Sequence, residues 1–150
     1  MLLLWAGDGE GREAVERAVR EKGLENHFRF LGWRRDVADL LGVCDVLLLT
    51  SIFEGLPRVV LQAFAAGKPV VATAVSGTPE AVKPGVNGFL HPAHDAGGMA
   101  ASLALLLKDP SRARRMGRAG SRVLKGSFLM PGMLKEIETL YAETLRIKGF

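Results

Sequence analysis

The 150-residue sequence holds one cysteine, Cys44, one tyrosine and two tryptophans. A single thiol excludes an internal disulfide and fits a reducing compartment. No apolar run approaches the ~20 residues of a membrane-spanning helix. The opening Met1-Leu2-Leu3-Leu4-Trp5-Ala6 is too short, and lacks the basic start, for a signal peptide. There is no repeat, low-complexity tract or obvious linker. The 20 Lys and Arg exceed the 16 Asp and Glu, for a net charge of +4 and a pI of about 9.6. They form no dense block with interleaved aromatics, so nucleic acid is not an expected partner. The surplus weakly favours other anions, a nucleotide phosphate or an acidic membrane surface. His91 and His94 flank Pro92 in an expected loop, with no third ligand near in sequence, so no metal site is expected. No Ser/His/Asp arrangement is discernible. Cys44 sits on an apolar stretch and reads as core.

What is present is a globular chain, 48% hydrophobic with a mean hydropathy of +0.16, long enough for one domain with a sizeable core. Short apolar runs alternate with helical patterns. Leu2–Ala6 reads as a buried strand, Gly7–Gly11 as a turn, and Arg12–Lys22 as a helix with Ala14, Val15, Ala18 and Val19 inward. Phe28–Leu31 is a second strand, closed by Gly32, and Arg35–Leu41 a short helix. Later elements are a helical turn at Glu80–Lys83, a strand at Gly88–Leu90 and an Ala/Leu-rich helix over Asp95–Lys108. Ser111 is expected to cap a helix running to about Lys125, and Pro131 to open the last helix. That helix carries Leu134, Ile137, Tyr141 and Leu145 on one stripe. The alternation predicts an α/β fold with a Rossmann-like, doubly wound parallel sheet.

The centre of this pattern is Ser51–Thr73. Asp45–Leu49 before it is a strand buried on both faces. Gly55 and Pro57 punctuate the chain, Arg58–Ala66 is a helix, Gly67 ends it, and Val70–Thr73 is the next strand. A strand-loop-helix-strand unit needs a parallel sheet, and its loop leaves the carboxyl end of a strand, where open α/β sheets bind ligands. Gly55 lets the backbone approach a ligand. Free N–H groups at the start of the Arg58 helix suit a phosphate. Glu54, a poor phosphate ligand, suits hydroxyls or developing positive charge, and Gln62 lies one turn beyond Arg58 on the same face. Together these residues suit a sugar nucleotide.

Glu54-Gly55-Leu56-Pro57, then Ala63-Phe64-Ala65-Ala66-Gly67-Lys68-Pro69-Val70-Val71-Ala72-Thr73, resembles the donor-binding signature of the group 1 (family 4) retaining glycosyltransferases. Gly77-Thr78-Pro79-Glu80 and Gly85-Val86-Asn87-Gly88 resemble segments downstream of that signature in the same family. One departure is clear: the family's second Glu, eight positions after the first, is Gln62 here. The resemblance implies the C-terminal half of a GT-B architecture, one donor-binding domain over residues 1–150, truncated at its N-terminus. The acceptor domain, and a strand and basic loop expected before residue 1, would be absent. The implied reaction moves a sugar from a nucleoside diphosphate sugar to a hydroxyl acceptor, with no metal or other cofactor, and the isolated chain would be inactive. Glu54 would be the catalytic residue, orienting the donor sugar. Amides of Gly55 and Leu56, beside Pro57, would hold the diphosphate, and Gln62 the ribose.

The remaining candidates stay open. Arg58 reads equally as a solvated first-turn residue or as facing the diphosphate. Gly7, Asp8 and Gly9 resemble the family's loop near the nucleotide, and read as well as a plain strand-to-helix turn. Trp33 and Arg34 follow Gly32, where the family places the nucleobase, or merely cap a strand end. Thr78 reads as a turn cap. The expected location is the cytoplasm, with peripheral contact at the inner membrane face in the full protein, and self-association of the fragment through its last helix. One alternative is a sugar-nucleotide-binding module without catalysis. Another is an NAD(P)-binding oxidoreductase domain, from Gly9-Glu10-Gly11-Arg12-Glu13-Ala14, which fits the loose dinucleotide fingerprint. Against the latter, Asp8 and Glu10 would put negative charge beside a pyrophosphate.

Overall fold

The computed structural model describes residues 1–124 and 128–148. The chain forms two compact units, Met1–Val37 and Ala38–Phe150. In the first, β1 (Leu3–Ala6) and β2 (Phe28–Gly32) pair in parallel, Leu3 opposite Phe28 and Trp5 opposite Phe30. A parallel pair needs a crossover, and α1 (Arg12–Glu21) supplies it. Val19 is its buried residue, with Val15 and Ala18 half-buried on the same i, i+3, i+4 face. Ala14, expected on that face, is exposed, because one position off Val15 is a rotation of ~100°. Phe30 stacks between Trp5 and Phe28, with ring centroids 5.8 and 5.3 Å away. The helix expected over Arg35–Leu41 begins later, as α2 (Val37–Val43). Arg34 and Asp36 bind each other just before it, in non-helical chain.

The second unit carries a parallel sheet in the order β3 (Leu47–Leu49), β4 (Val70–Thr73), β5 (Gly88–His91). Leu47 lies opposite Val70, and Val70 opposite Gly88. Helix α3 (Arg58–Ala65) links β3 to β4, and α4 (Thr78–Ala81) links β4 to β5. Three helices follow: α5 (Ala96–Lys108), α6 (Pro110–Ser121) and α7 (Met130–Ile147). Every residue of β4 is buried, as the run Val70-Val71-Ala72-Thr73 requires of a central parallel strand. Val60, Ala63 and Phe64 of α3 are fully buried, and burying Phe64 alone contributes up to ~3 kcal/mol. Val71 packs with Met99, Leu106, Ala113 and Met116 from α5 and α6.

Local chemistry sets the helix ends. Gly67, at φ 68°, terminates α3: its N–H donates to Phe64 O and that of Lys68 to Ala63 O, the paired bonds of a Schellman stop. Helix α4 starts two residues ahead of the expected Glu80, with Pro79 in its first turn, where a missing N–H costs nothing. The cap of α6 is Asp109, not Ser111: Asp109 Oδ1 accepts from Arg112 N at 2.9 Å and from Ser111 Oγ at 2.9 Å. Pro110 takes the first helical position, so the residue before it must cap. Lys125, the expected end of that helix, lies outside the described residues. His91, expected in a loop, is the last residue of β5. Cys44 is only half-buried, and burial raises its thiol pKa, with Lys68 pulling the other way. Among the described residues no helix is long and apolar enough to cross a membrane.

Candidate functional site

The loop between β3 and α3 is held at three points. Thr73 Oγ1, at the end of β4, donates to Ser51 O. Ser51 Oγ donates to Glu54 Oε1 at 2.7 Å, fixing the carboxylate by a residue three positions upstream. Gly77 N donates to Gly55 O at 3.0 Å, and a Cβ on Gly77 would collide with that carbonyl. Backbone therefore rests on backbone where the loop after β4 meets the loop after β3. The sequence assigns no role to Ser51, and marks Gly77 only as part of the Gly77-Thr78-Pro79-Glu80 segment. The Ser-x-x-Glu spacing that marks capping boxes was the available signal for Ser51. The contact of Gly77 with Gly55 becomes visible only once the two strand ends are side by side.

The same loop presents donors. Pro57, the cap position of α3, has no N–H and offers no side-chain cap. The amides of Gly55, Leu56, Arg58 and Val59 donate to no acceptor among the described residues. Free N–H groups in the loop and first turn, with the helix dipole behind them, suit an anion. Arg58 is exposed, and Gln62, one turn on, is exposed beside it. Leu56 is 41% exposed and Pro57 is buried. Glu54, Gly55, Leu56, Pro57, Arg58 and Gln62 thus lie together beyond the carboxyl end of β3.

In the other unit, the remaining candidates lie beyond the carboxyl ends of β1 and β2. Gly7, at φ 128°, donates its N–H to Gly32 O at 2.8 Å and ties those strand ends together. Asp8 Oδ1 accepts from Gly9 N at 3.0 Å, and Arg12 Nη1 lies 3.6 Å from Asp8 Oδ2. Arg12 also donates through Nε to Glu16 at 2.8 Å; this bond first, then the Glu16 charge and after it the Asp8 charge, raises its pKa. Arg34 is committed to Asp36, whose carboxyl pKa is lowered chiefly by that hydrogen bond. Trp33 is 65% exposed. Arg35, not singled out from sequence, lies over its face at 5.0 Å, a cation–π contact.

Two arrangements differ from the sequence expectation: a Ser/His/Asp arrangement is present, and Thr78 is not a turn cap. Asp95, His91 and Ser102 form a chain: Asp95 Oδ2 lies 3.2 Å from His91 Nδ1, and Ser102 Oγ 2.8 Å from Nε2. Asp95 also caps α5 through Gly98 N at 2.9 Å. Ser102 is buried at 8% exposure, so the chain braces β5 against α5 rather than presenting a nucleophile. Thr78, read as a turn cap, is fully buried, and its Oγ1 has no partner among the described residues.

Parallel strands linked by helices, with a donor-rich loop beyond a strand end, form a Rossmann-like arrangement of the kind found in GT-B glycosyltransferases. Sucrose-phosphate synthase from Thermosynechococcus elongatus shares the fold at a TM-score of 0.84 and 28% identity, over 97% of this chain and 38% of that one. Anabaena Alr3699/HepE in complex with UDP-glucose superposes at a TM-score of 0.76 and 31% identity, over 82% of this chain and 36% of that one. Residues 1–123 match the family of group 1 glycosyl transferases. The chain belongs to that family. It is 34% identical to N-acetyl-alpha-D-glucosaminyl L-malate synthase of Bacillus anthracis, over 96% of this chain and 38% of that protein. The chain thus spans less than half the length of each of these three proteins.

Proposed function

We propose that this chain is the donor-binding part of a retaining glycosyltransferase that moves a sugar from a nucleoside diphosphate sugar to a hydroxyl acceptor. The observation that carries the proposal is the pairing of free amides in the loop and first turn of α3 with a Ser51-held Glu54 immediately before them. Alr3699/HepE, 31% identical, is a protein captured with UDP-glucose, which supports a sugar nucleotide as the donor.

In this reading the amides of Gly55 and Leu56 and the α3 dipole stabilise the leaving diphosphate, whose charge grows as the sugar C1–O bond breaks. The electron pair of that bond stays on the phosphate oxygen. The acceptor hydroxyl forms the new bond to C1 from the same face and gives its proton to the departing phosphate. Glu54 holds donor-sugar hydroxyls, and Ser51 keeps the carboxylate from turning away. Gln62 holds the ribose. Arg58 is free to face the diphosphate. Positioning of acceptor against donor supplies much of the rate, which is why a second, acceptor-binding domain is part of the proposal and turnover by these residues alone is not expected.

The test is titration calorimetry with UDP-, GDP- and ADP-sugars, the bare diphosphates and NAD. Binding of at least one sugar nucleotide, lost in Glu54→Ala, supports the proposal. Binding of NAD in preference to every sugar nucleotide hands the case to the oxidoreductase reading, and binding of none overturns both.

A further inference from the structure

Helix α6 buries Ala113, Met116, Gly117 and Gly120 and turns its opposite face to solvent. That exposed face carries Arg114, Arg115 and Arg118, with Arg122 at the C-cap just beyond. None of the four makes an ion pair with a described residue, and Arg115 spends one donor on Ser111 Oγ at 2.9 Å. The acid beside the helix, Asp109, is occupied as its cap. Arg114, Arg118 and Arg122 stand four residues apart, and like charges at that spacing destabilise a helix. Arg112, Arg114 and Arg115 also lie near the positive end of the helix dipole, where acids are favoured. The i, i+4 arginine spacing and the arginines at the positive end oppose the helix, while Arg118 and Arg122 near its negative end are favoured there, and the single-signed surface they form together suits a polyanion.

Its surroundings point to the kind of polyanion. Lys68 and Leu107 line the same cleft as Arg114, along with Asp45. Leu107, on the last turn of α5, is exposed by 38%. Cations with an exposed leucine beside them suit a lipid interface, where guanidinium forks pair with phosphates and an apolar side chain enters the headgroup layer. The α6 segment has no aromatic residue on which bases could stack.

We propose that the arginine face of α6 docks this protein on an anionic phospholipid surface. This surface is independent of the Glu54 loop and stands whether or not the donor assignment does.

Vesicle flotation of the chain tests it, with phosphatidylcholine alone and with phosphatidylcholine mixed with phosphatidylglycerol. Binding should require phosphatidylglycerol and weaken with added salt. Each of Arg114→Gln, Arg115→Gln, Arg118→Gln and Arg122→Gln should weaken it about fivefold, and the four combined should abolish it. Glutamine preserves helix propensity, and circular dichroism melting checks that the variants fold. Arg17→Gln with Arg20→Gln, on α1, should leave binding unchanged. Equal binding to phosphatidylcholine alone, unaltered binding by the fourfold variant, or tighter binding to an oligonucleotide than to phosphatidylglycerol vesicles would overturn the proposal.

Discussion

Gly117 of α6 lies directly against the carbonyl of Gly67, the residue that ends α3; a Cβ on Gly117 would stand inside the van der Waals radius of that oxygen. The neighbour is backbone, held by the Schellman stop, and cannot swing aside as a side chain would. Gly120, one turn on, faces the Phe64 ring just as closely, and Ser121 Oγ donates to Phe64 O at 2.7 Å. The start of the α3–β4 connection is therefore clamped by the small-residue face of α6. Gly117→Ala should destabilise by ~1–3 kcal/mol or more, as overpacking does. Gly97→Ala in α5, whose Cβ would lie 3.9 Å from Asp95 Oδ1, should instead stabilise by up to ~1 kcal/mol. Urea midpoints of the two variants check the contrast; equal effects would refute the clamp.

Thr78 buries a hydroxyl without a partner among the described residues, and an unsatisfied buried donor costs ~1–3 kcal/mol. Thr78→Val replaces it with a methyl of similar shape. The variant should melt a few degrees higher than the parent chain, by scanning calorimetry. A lower melting temperature would show that the hydroxyl has an acceptor.

Asp109 caps α6, and its carboxyl pKa is held below the ordinary carboxylate value first by the Arg112 amide and then by the Ser111 hydroxyl. A depressed folded-state pKa stabilises the fold above the unfolded value of about 4, and that contribution is lost as pH falls through the folded value. The melting temperatures of the parent chain and Asp109→Ala should therefore differ by several degrees at pH 7 and converge below about pH 4. Asp109→Asn, which can still cap, should show a small gap. A gap for Asp109→Ala that does not narrow at all as pH falls below about 4 would contradict the cap.

For the proposed donor site, Glu54→Ala should weaken sugar-nucleotide binding by a further ~10-fold or more over any effect on the bare diphosphate, the scale of a hydrogen bond to a charged group. Gln62→Glu should hold or improve affinity, because an ionised acceptor makes the stronger hydrogen bond. Calorimetry reads both. Equal losses of sugar nucleotide and diphosphate in Glu54→Ala would assign that residue a structural role.

Helix α7 has no buried residue; Leu134, Ile137, Tyr141 and Leu145 are exposed by 48%, 41%, 68% and 50%. A continuous apolar stripe in water favours association. The chain should sediment as a concentration-dependent oligomer, and Ile137→Lys with Tyr141→Lys should shift it toward monomer. A strictly monomeric parent chain would refute this.

How far the sequence reached depended on whether a feature is local. Val70–Thr73 is legible to the residue, because Gly67 and Pro69 bound an apolar run that can only be a buried strand. The Gly55–Arg58 loop is equally legible, since a glycine and a proline between strand and helix patterns have few alternatives. The cap of α6 was misplaced by two residues because Ser111 and Asp109 have similar capping strength, and only the position of Pro110 separates them. What sequence could not supply are contacts between elements: Gly77 on Gly55, Arg35 over Trp33, and Asp95–His91–Ser102 across the β5–α5 join. Strand pairing and helix packing bring these residues together, and no spacing along the chain encodes that. The one-signed face of α6 stands between the two cases. Its arginines are plain in the sequence, but only burial of Ala113, Met116, Gly117 and Gly120 decides that Arg114, Arg115 and Arg118 share one exposed side.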